Sequence, residues 1–167
     1  GHKFSPKDIV GSNFCSSIKT NKYDSNGGLL VINRGRPIRT RTYDRQHLFV
    51  DYCNDLKKFS DSLNKKISCK TLIRNRYTVR VGEKDNSYYF NFFKNHSDIK
   101  VDNGLQPLNE IIKKSRLIFF SYYSTGFLEC LTKNIPTICF DKEILGLFND
   151  GSKEDFKKMF EKKLIYN

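Results

Sequence analysis

The chain has no tryptophan and no alanine, a single methionine and only four prolines among its 167 residues. Acids are also scarce, with 18 Asp and Glu against 30 Lys and Arg. Each shortage excludes something. A core without Ala or Trp must be filled by branched aliphatics and by the 14 Phe and nine Tyr. No segment of ~18 or more apolar residues occurs, so a membrane-spanning helix is not expected, and the first residues lack the apolar region of a signal peptide. These absences predict a soluble, cytoplasmic protein. The five cysteines, Cys15, Cys53, Cys69, Cys130 and Cys139, form no CxxC pair and are odd in number. That pattern argues against a metal cluster and a disulfide framework, and for reduced, mostly buried thiols. His2, His47 and His96 are the available imidazoles, and none is near Cys130 in sequence, so a Cys–His nucleophile is not expected either.

What is present suits one α/β domain. The length and the 38% hydrophobic content support a single ordinary core. Gly1 and His2 read as the remnant of a cleaved tag, and residues 1–28 as an irregular lead-in or linker ahead of a domain over 29–167. From there apolar runs alternate with helical patterns. Strands are expected at Leu29–Asn33, Thr71–Arg74, Ile99–Val101, Leu117–Phe120 and Thr137–Phe140. Helices are expected over His47–Lys66, Asn86–Lys94, Leu108–Lys114, Phe127–Lys133 and Glu154–Lys163; the aromatic run in the second of these also fits a strand. Strands alternating with helices call for a doubly wound parallel sheet of about five to six strands in a three-layer α/β/α domain.

The most informative segment is Ser115–Phe140, SRLIFFSYYSTGFLECLTKNIPTICF. Leu117–Phe120 is short, uncharged and β-rich, as a strand buried on both faces should be. Ser124, Thr125 and Gly126 then supply hydroxyls and a flexible backbone where a helix must start. Unpaired first-turn N–H groups and the helix dipole make such a turn a ready phosphate site. Asn134 and Pro136 end the helix before the next strand, which gives a right-handed βαβ crossover. Ser124 and Thr125 can also serve simply as helix caps, and Glu129 can pair with Lys133 one turn on. Tyr122 and Tyr123 fit packing better than base stacking, and Asp102 fits a turn cap.

At these residues a specific resemblance appears. Glu129 followed seven positions later by Pro136, after a small-residue turn, resembles the donor-binding half of GT-B glycosyltransferases. More closely, Ser115, Arg116, Leu117, Tyr122, Thr125, Phe127, Leu128, Glu129, Leu131 and Asn134–Ile138 are similar to a family of bacterial surface-carbohydrate biosynthesis transferases. Ser121 stands where that family commonly has Asp, and Gly126 where it commonly has Thr. The likeness extends more weakly over Leu29–Asp141. It implies a Rossmann-like nucleotide-sugar-binding domain that takes a nucleotide-diphosphate sugar as donor, with Glu129 on the donor ribose and no metal or other cofactor. It also implies that the carbohydrate or lipid-linked acceptor, and the catalytic base, belong to an N-terminal half, and that the full-length protein can associate peripherally with a membrane. The fragment alone is then expected to bind nucleotide weakly and to turn nothing over.

The formal charge of +12 needs its own reading. Lysine tracts on helix surfaces are most simply solvated charge, and a Lys-, Asn- and Ile-rich chain reflects an AT-rich coding sequence. The arginines differ: Arg34, Arg36, Arg39 and Arg41 crowd one loop, and Arg74, Arg76 and Arg80 follow another strand. Guanidinium forks suit phosphate, so Arg34 and Arg74 join Ser124, Thr125, Gly126 and Glu129 as candidate donor-binding residues. In an open α/β sheet the three loops bearing them should converge beyond the strands' carboxyl ends. The catalytic residue itself is not legible. Two alternatives stand beside this reading: a phosphopolyol transferase half, and a non-catalytic module for anions or nucleic acid, suggested by aromatics among basic residues in Tyr77–Lys94. Nucleic acid is the less expected partner.

Overall fold

Six short runs assemble into one sheet, and the four inner ones, rich in Ile, Leu, Val, Phe and Thr, can bury both faces of a strand. The computed structural model describes residues 23–33, 46–75, 98–102, 106–140 and 150–166. Along these, β1 (Gly28–Asn33) is followed by α1 (Gln46–Ser62), the single turn α2 (Lys65–Ser68), β2 (Thr71–Asn75) and β3 (Lys100–Asp102). The second half holds α3 (Leu108–Lys113), β4 (Ser115–Phe120), α4 (Thr125–Thr132), β5 (Thr137–Phe140), α5 (Asp150–Glu161) and β6 (Ile165–Tyr166). The strand order is β3-β2-β1-β4-β5-β6 and every pairing is parallel. This is the Rossmann-like α/β domain that the alternation predicts, and its order reverses between β1 and β4. No helix among the described residues is long and apolar enough to cross a membrane.

Side-chain alternation along the strands divides the core in two. Leu30 and Ile32 of β1, Ile118 and Phe120 of β4 and Cys139 of β5 join Ile111, Ile112, Phe127 and Cys130, so α3 and α4 cover one face. Phe156, Met159 and Phe160 bring α5 onto the same cluster. Val31, Ile73 and Phe119 point the other way, against Cys53 and Leu56 of α1. There Phe59 stacks on Phe119 with centroids 4.4 Å apart. The aromatic residues fill the space that Ala and Trp leave, and Phe120 and Phe127 are the largest fully buried side chains.

Three departures from the sequence expectation move a boundary by more than two residues or add an element. The helix expected through Lys66 ends at Ser62, because Asn64 accepts a hydrogen bond from Lys66 N at 2.9 Å and starts the separate turn α2. A sixth strand, β6, pairs with β5 through Cys139↔Ile165 and Phe140↔Tyr166. Two residues carry too little periodicity to announce it. The last helix begins at Asp150 and stops at Glu161, earlier at both ends than expected. The expected Asn86–Lys94 helix lies outside the described residues.

β1 begins at Gly28 for a steric reason. A Cβ there would sit 1.7 Å from the Lys70 carbonyl oxygen, and one on Gly27 would sit 2.4 Å from that of Lys114. The backbones entering β1, β2 and β4 touch at these glycines, so any side chain pushes the strands apart. Gly126 is more tolerant, its nearest neighbour being the Phe120 ring edge at 3.3 Å. Gly28→Ala is therefore expected to destabilise the fold by about 3 kcal/mol or more, and Gly126→Ala by roughly 1 kcal/mol or less. Urea denaturation followed by circular dichroism measures both, and equal losses would contradict this steric ranking.

Candidate functional site

In open α/β sheets the ligand crevice lies beyond the carboxyl ends of the strands where their order reverses, which here is between β1 and β4. β1 ends there in the fully buried Asn33, and β4 passes into the Ser121–Ser124 turn. Ser121 holds the two ends together. Its backbone N donates to the Ile32 carbonyl oxygen at 3.1 Å, and its hydroxyl donates to the same oxygen at 2.9 Å. The Tyr52 hydroxyl of α1 meets the Ser121 hydroxyl from the other side. An aspartate, common in the resembled family at this position, has no proton to give the carbonyl. Here the residue is part of the frame rather than an acid.

The turn leads into α4, which forms because Phe127 and Cys130 face the core while Thr125 and Thr132 stay exposed. Tyr123 packs edge-on against both Phe127 and Phe156, at 6.1 and 5.3 Å between centroids, so the packing role expected for it is the observed one. The helix closes in a Schellman motif: Asn134, with φ 54°, donates to the Leu131 oxygen, and Ile135 N donates to the Cys130 oxygen. Asn tolerates that left-handed backbone better than most residues.

At the helix start, Ser124 is the N-cap residue with an extended backbone, φ −149° and ψ 162°. Its backbone oxygen accepts from Phe127 N at 3.1 Å, but its side chain makes no capping hydrogen bond. The hydroxyl thus stands beside the helix N-terminus unused by the helix itself. Thr125 is exposed as the first helical residue, and Gly126 lets the turn close over the Phe120 ring. Glu129 is half-buried, one turn above Thr125 on the same side. Helical Cα–Cβ bonds tilt toward the N-terminus, so its side chain leans back along the helix toward the turn. Among the described residues it forms no ion pair with Lys133.

The remaining candidates fall elsewhere. Arg74 ends β2 and pairs with Asp102 of β3 at 3.1 Å, while its other contact is a 2.8 Å hydrogen bond to the Gln106 carbonyl oxygen. Both side chains of this pair are largely buried, and β1 lies between β2 and β4. The guanidinium is therefore neutralised locally, a strand away from the Ser124 turn. Asp102 serves this pair, and the residues of the turn it was expected to cap, 103 and 104, lie outside the described residues. Arg34, Arg36, Arg39 and Arg41, and Arg76 and Arg80 with the loop after β2, lie outside the described residues. So the convergence of three loops reduces, on the described residues, to the Ser121–Ser124 turn beside Asn33. Tyr52 falls within the expected His47–Lys66 helix and packs against the core. Nothing in spacing alone announces that its hydroxyl reaches Ser121, 69 positions away.

Among the described residues no group of His, Cys, Asp and Glu could hold a metal ion. Cys53, Cys130 and Cys139 are buried free thiols and Cys69 is exposed. Burial pushes the Cys53 thiol up from an ordinary 9.0 to about 12 and Cys130 to about 11. Neither is an activated nucleophile. Ser121→Ala removes both the bond to the Ile32 carbonyl oxygen and the bond to the Tyr52 hydroxyl, and is expected to cost roughly 1–2 kcal/mol. In a double-mutant cycle with Tyr52→Phe, urea denaturation should show a coupling of about 0.5–1.5 kcal/mol, and additive losses would refute the shared bond. The thiols give a second readout. Between pH 9.0 and about 12 the unfolded chain sheds a Cys53 proton that the folded chain keeps. Stability is therefore full below pH 9 and falls as pH rises above it, less steeply in Cys53→Ala. A thiol reagent at pH 8 should label Cys69 in the native Cys15→Ser protein and leave the three buried thiols until urea is added.

No curated protein matches the chain. A family described as LIC12162 family transferase matches residues 8–167, which takes in most of the lead-in before β1 as well as every element of the sheet. The extent of that match, over a sheet whose strand order reverses at a helix N-terminus, places this chain in the LIC12162 family of transferases.

Proposed function

We propose that this transferase domain is the donor-binding half of a GT-B-like glycosyltransferase, acting in the synthesis of bacterial surface carbohydrate with a nucleotide-diphosphate sugar as donor. The observation that carries the reading is the start of α4 at the strand-order reversal, where the Ser124 hydroxyl is not used for capping. A diphosphate there meets the first-turn N–H groups, the positive end of the helix and two hydroxyls, Ser124 and Thr125. Those donors are fixed before the ligand arrives, so they stabilise charge on the departing nucleotide without reorganising. Glu129, leaning toward the same turn, accepts hydrogen bonds from the ribose hydroxyls. Of the two arginines expected to serve the phosphates, Arg34 is the one we assign, since Arg74 serves a phosphate only by leaving Asp102. The reacting groups that activate the acceptor belong to a partner half, and the chain itself acts by binding and orientation.

Titration with UDP, CDP and GDP, and with short single-stranded oligonucleotides at two salt concentrations, tests the proposal. One nucleoside diphosphate should bind selectively, and Glu129→Ala should weaken it at least about tenfold, the loss of one or two charge-assisted hydrogen bonds. Ser124→Ala should weaken it by a smaller factor. Nonselective oligonucleotide binding that falls steeply with salt, with no diphosphate preference, would overturn the reading in favour of a polyanion-binding module.

A further inference from the structure

The described residues carry their charge unevenly. All six strands run parallel, so the connections that enter them lie at one edge of the sheet, opposite the crevice. Those connections, counting α2 and the first two residues of each strand, hold nine Lys and Arg and only two acids, Asp24 and Asp98. Elsewhere among the described residues the balance reverses, with seven cations and ten acids. The described positive excess therefore resides at this edge.

Its centre is compact. The backbones of Lys70, Lys114 and Arg116 meet at Gly27 and Gly28, and Lys70 Nζ donates to the Asn26 carbonyl oxygen at 3.5 Å. Lys65 and Lys66 lie just ahead of Lys70, on the single turn α2. None of the nine cations forms an ion pair among the described residues. Helix dipoles account for Lys114 and Lys133, which cap the carboxyl ends of α3 and α4. They do not account for Lys100 and Arg116, which lie within strands. The edge also exposes apolar surface. Ile67, next to Lys66 on α2, is 47% exposed, and Tyr23, at the start of the described chain, and Tyr166 of β6 are each 43% exposed.

We propose that this edge docks on an anionic lipid bilayer, with Ile67 entering the interfacial layer and Lys65, Lys66, Lys70, Lys114 and Arg116 over the lipid phosphates. Cations near such a surface add attraction roughly one by one, and a single apolar side chain among them adds insertion. Nucleic acid fits less well, because eight of the nine cations are Lys rather than Arg, whose planar fork suits bidentate phosphate and base contacts. The face lies at the opposite edge from the crevice, so its test is independent of nucleotide binding.

Cosedimentation of the full chain with phosphatidylcholine vesicles, and with vesicles containing about one-third phosphatidylglycerol, reads the interaction directly. The chain should bind the anionic vesicles alone, and 0.5 M salt should release it. The quadruple variant Lys65→Gln, Lys66→Gln, Lys114→Gln, Arg116→Gln should bind at least about 100-fold more weakly. A control removing the same charge at Lys57, Lys58, Lys157 and Lys158 should change binding by about threefold or less. Ile67→Ser, with all charges kept, should weaken binding about tenfold, a loss that pure charge attraction does not predict. Circular dichroism confirms that each exposed substitution leaves the fold intact. Equal binding to neutral vesicles, equal losses in the two quadruple variants, or a quadruple variant that loses oligonucleotide binding but keeps vesicle binding, would each overturn the proposal.

Discussion

The hydroxyl of Ser121, held between the Ile32 carbonyl oxygen and the Tyr52 phenol, closes the seam on which the two halves of the sheet depend. β1 and β4 are far apart in the chain yet adjacent in the sheet, and their pairing is the point from which strands extend outward on both sides. At the far end of the same seam, Gly27 and Gly28 admit the Lys70 and Lys114 carbonyls at distances that no side chain allows. The seam is thus fixed at one end by a hydrogen-bonded hydroxyl and at the other by absent side chains. Between them lie Leu30, Val31, Ile118 and Phe119, all buried, so the middle is held by the parallel ladder and by burial.

The site is a consequence of that seam. Because strand order reverses there, the helices after β1 and β4 leave on opposite faces, the arrangement that places a ligand crevice between helix starts in open α/β sheets. α4 enters the space with its N-terminus, anchored from behind by Phe127, which meets Phe120 edge-on at 6.0 Å and Tyr123 at 6.1 Å. Rigid aromatic packing behind a helix start keeps its N–H groups aimed in one direction. The opposite edge, where the carboxyl ends of α3 and α4 meet the strand entries, gathers the lysines instead. Among the described residues, one parallel sheet therefore separates two chemistries: helix-start donors at one edge and cations without ion pairs at the other.

Much of this was legible in the sequence, and what was missed has identifiable causes. The strands of β1, β2, β4 and β5 were visible within one or two residues, because uninterrupted Ile, Leu, Val and Phe runs have few other uses. Ser124 as N-cap and Asn134 as the left-handed terminal residue followed from local backbone chemistry. β6 was missed, since a two-residue strand owes its existence to the neighbouring β5 rather than to its own pattern. Asn64 broke the long helix although apolar spacing ran on through Leu63, because a side-chain oxygen competing for a backbone N–H outweighs one more apolar position. Arg74 appeared free for a ligand in the sequence, where nothing shows that Asp102 faces it across a strand pair.

The amino-acid order by itself determined the class of fold, the βαβ unit over residues 115–140 and the chemistry available at its turn. These follow from interactions spanning a few residues: periodic burial, caps and the dipole of one helix. Tertiary structure decided which of those residues remain available. It assigned Ser121 and Tyr52 to the frame, committed Arg74 to Asp102, left Ser124 out of its own cap and collected scattered lysines on one edge. Such choices depend on strand order and register, which bring together residues 28 to 89 positions apart, and no local pattern encodes which partner arrives.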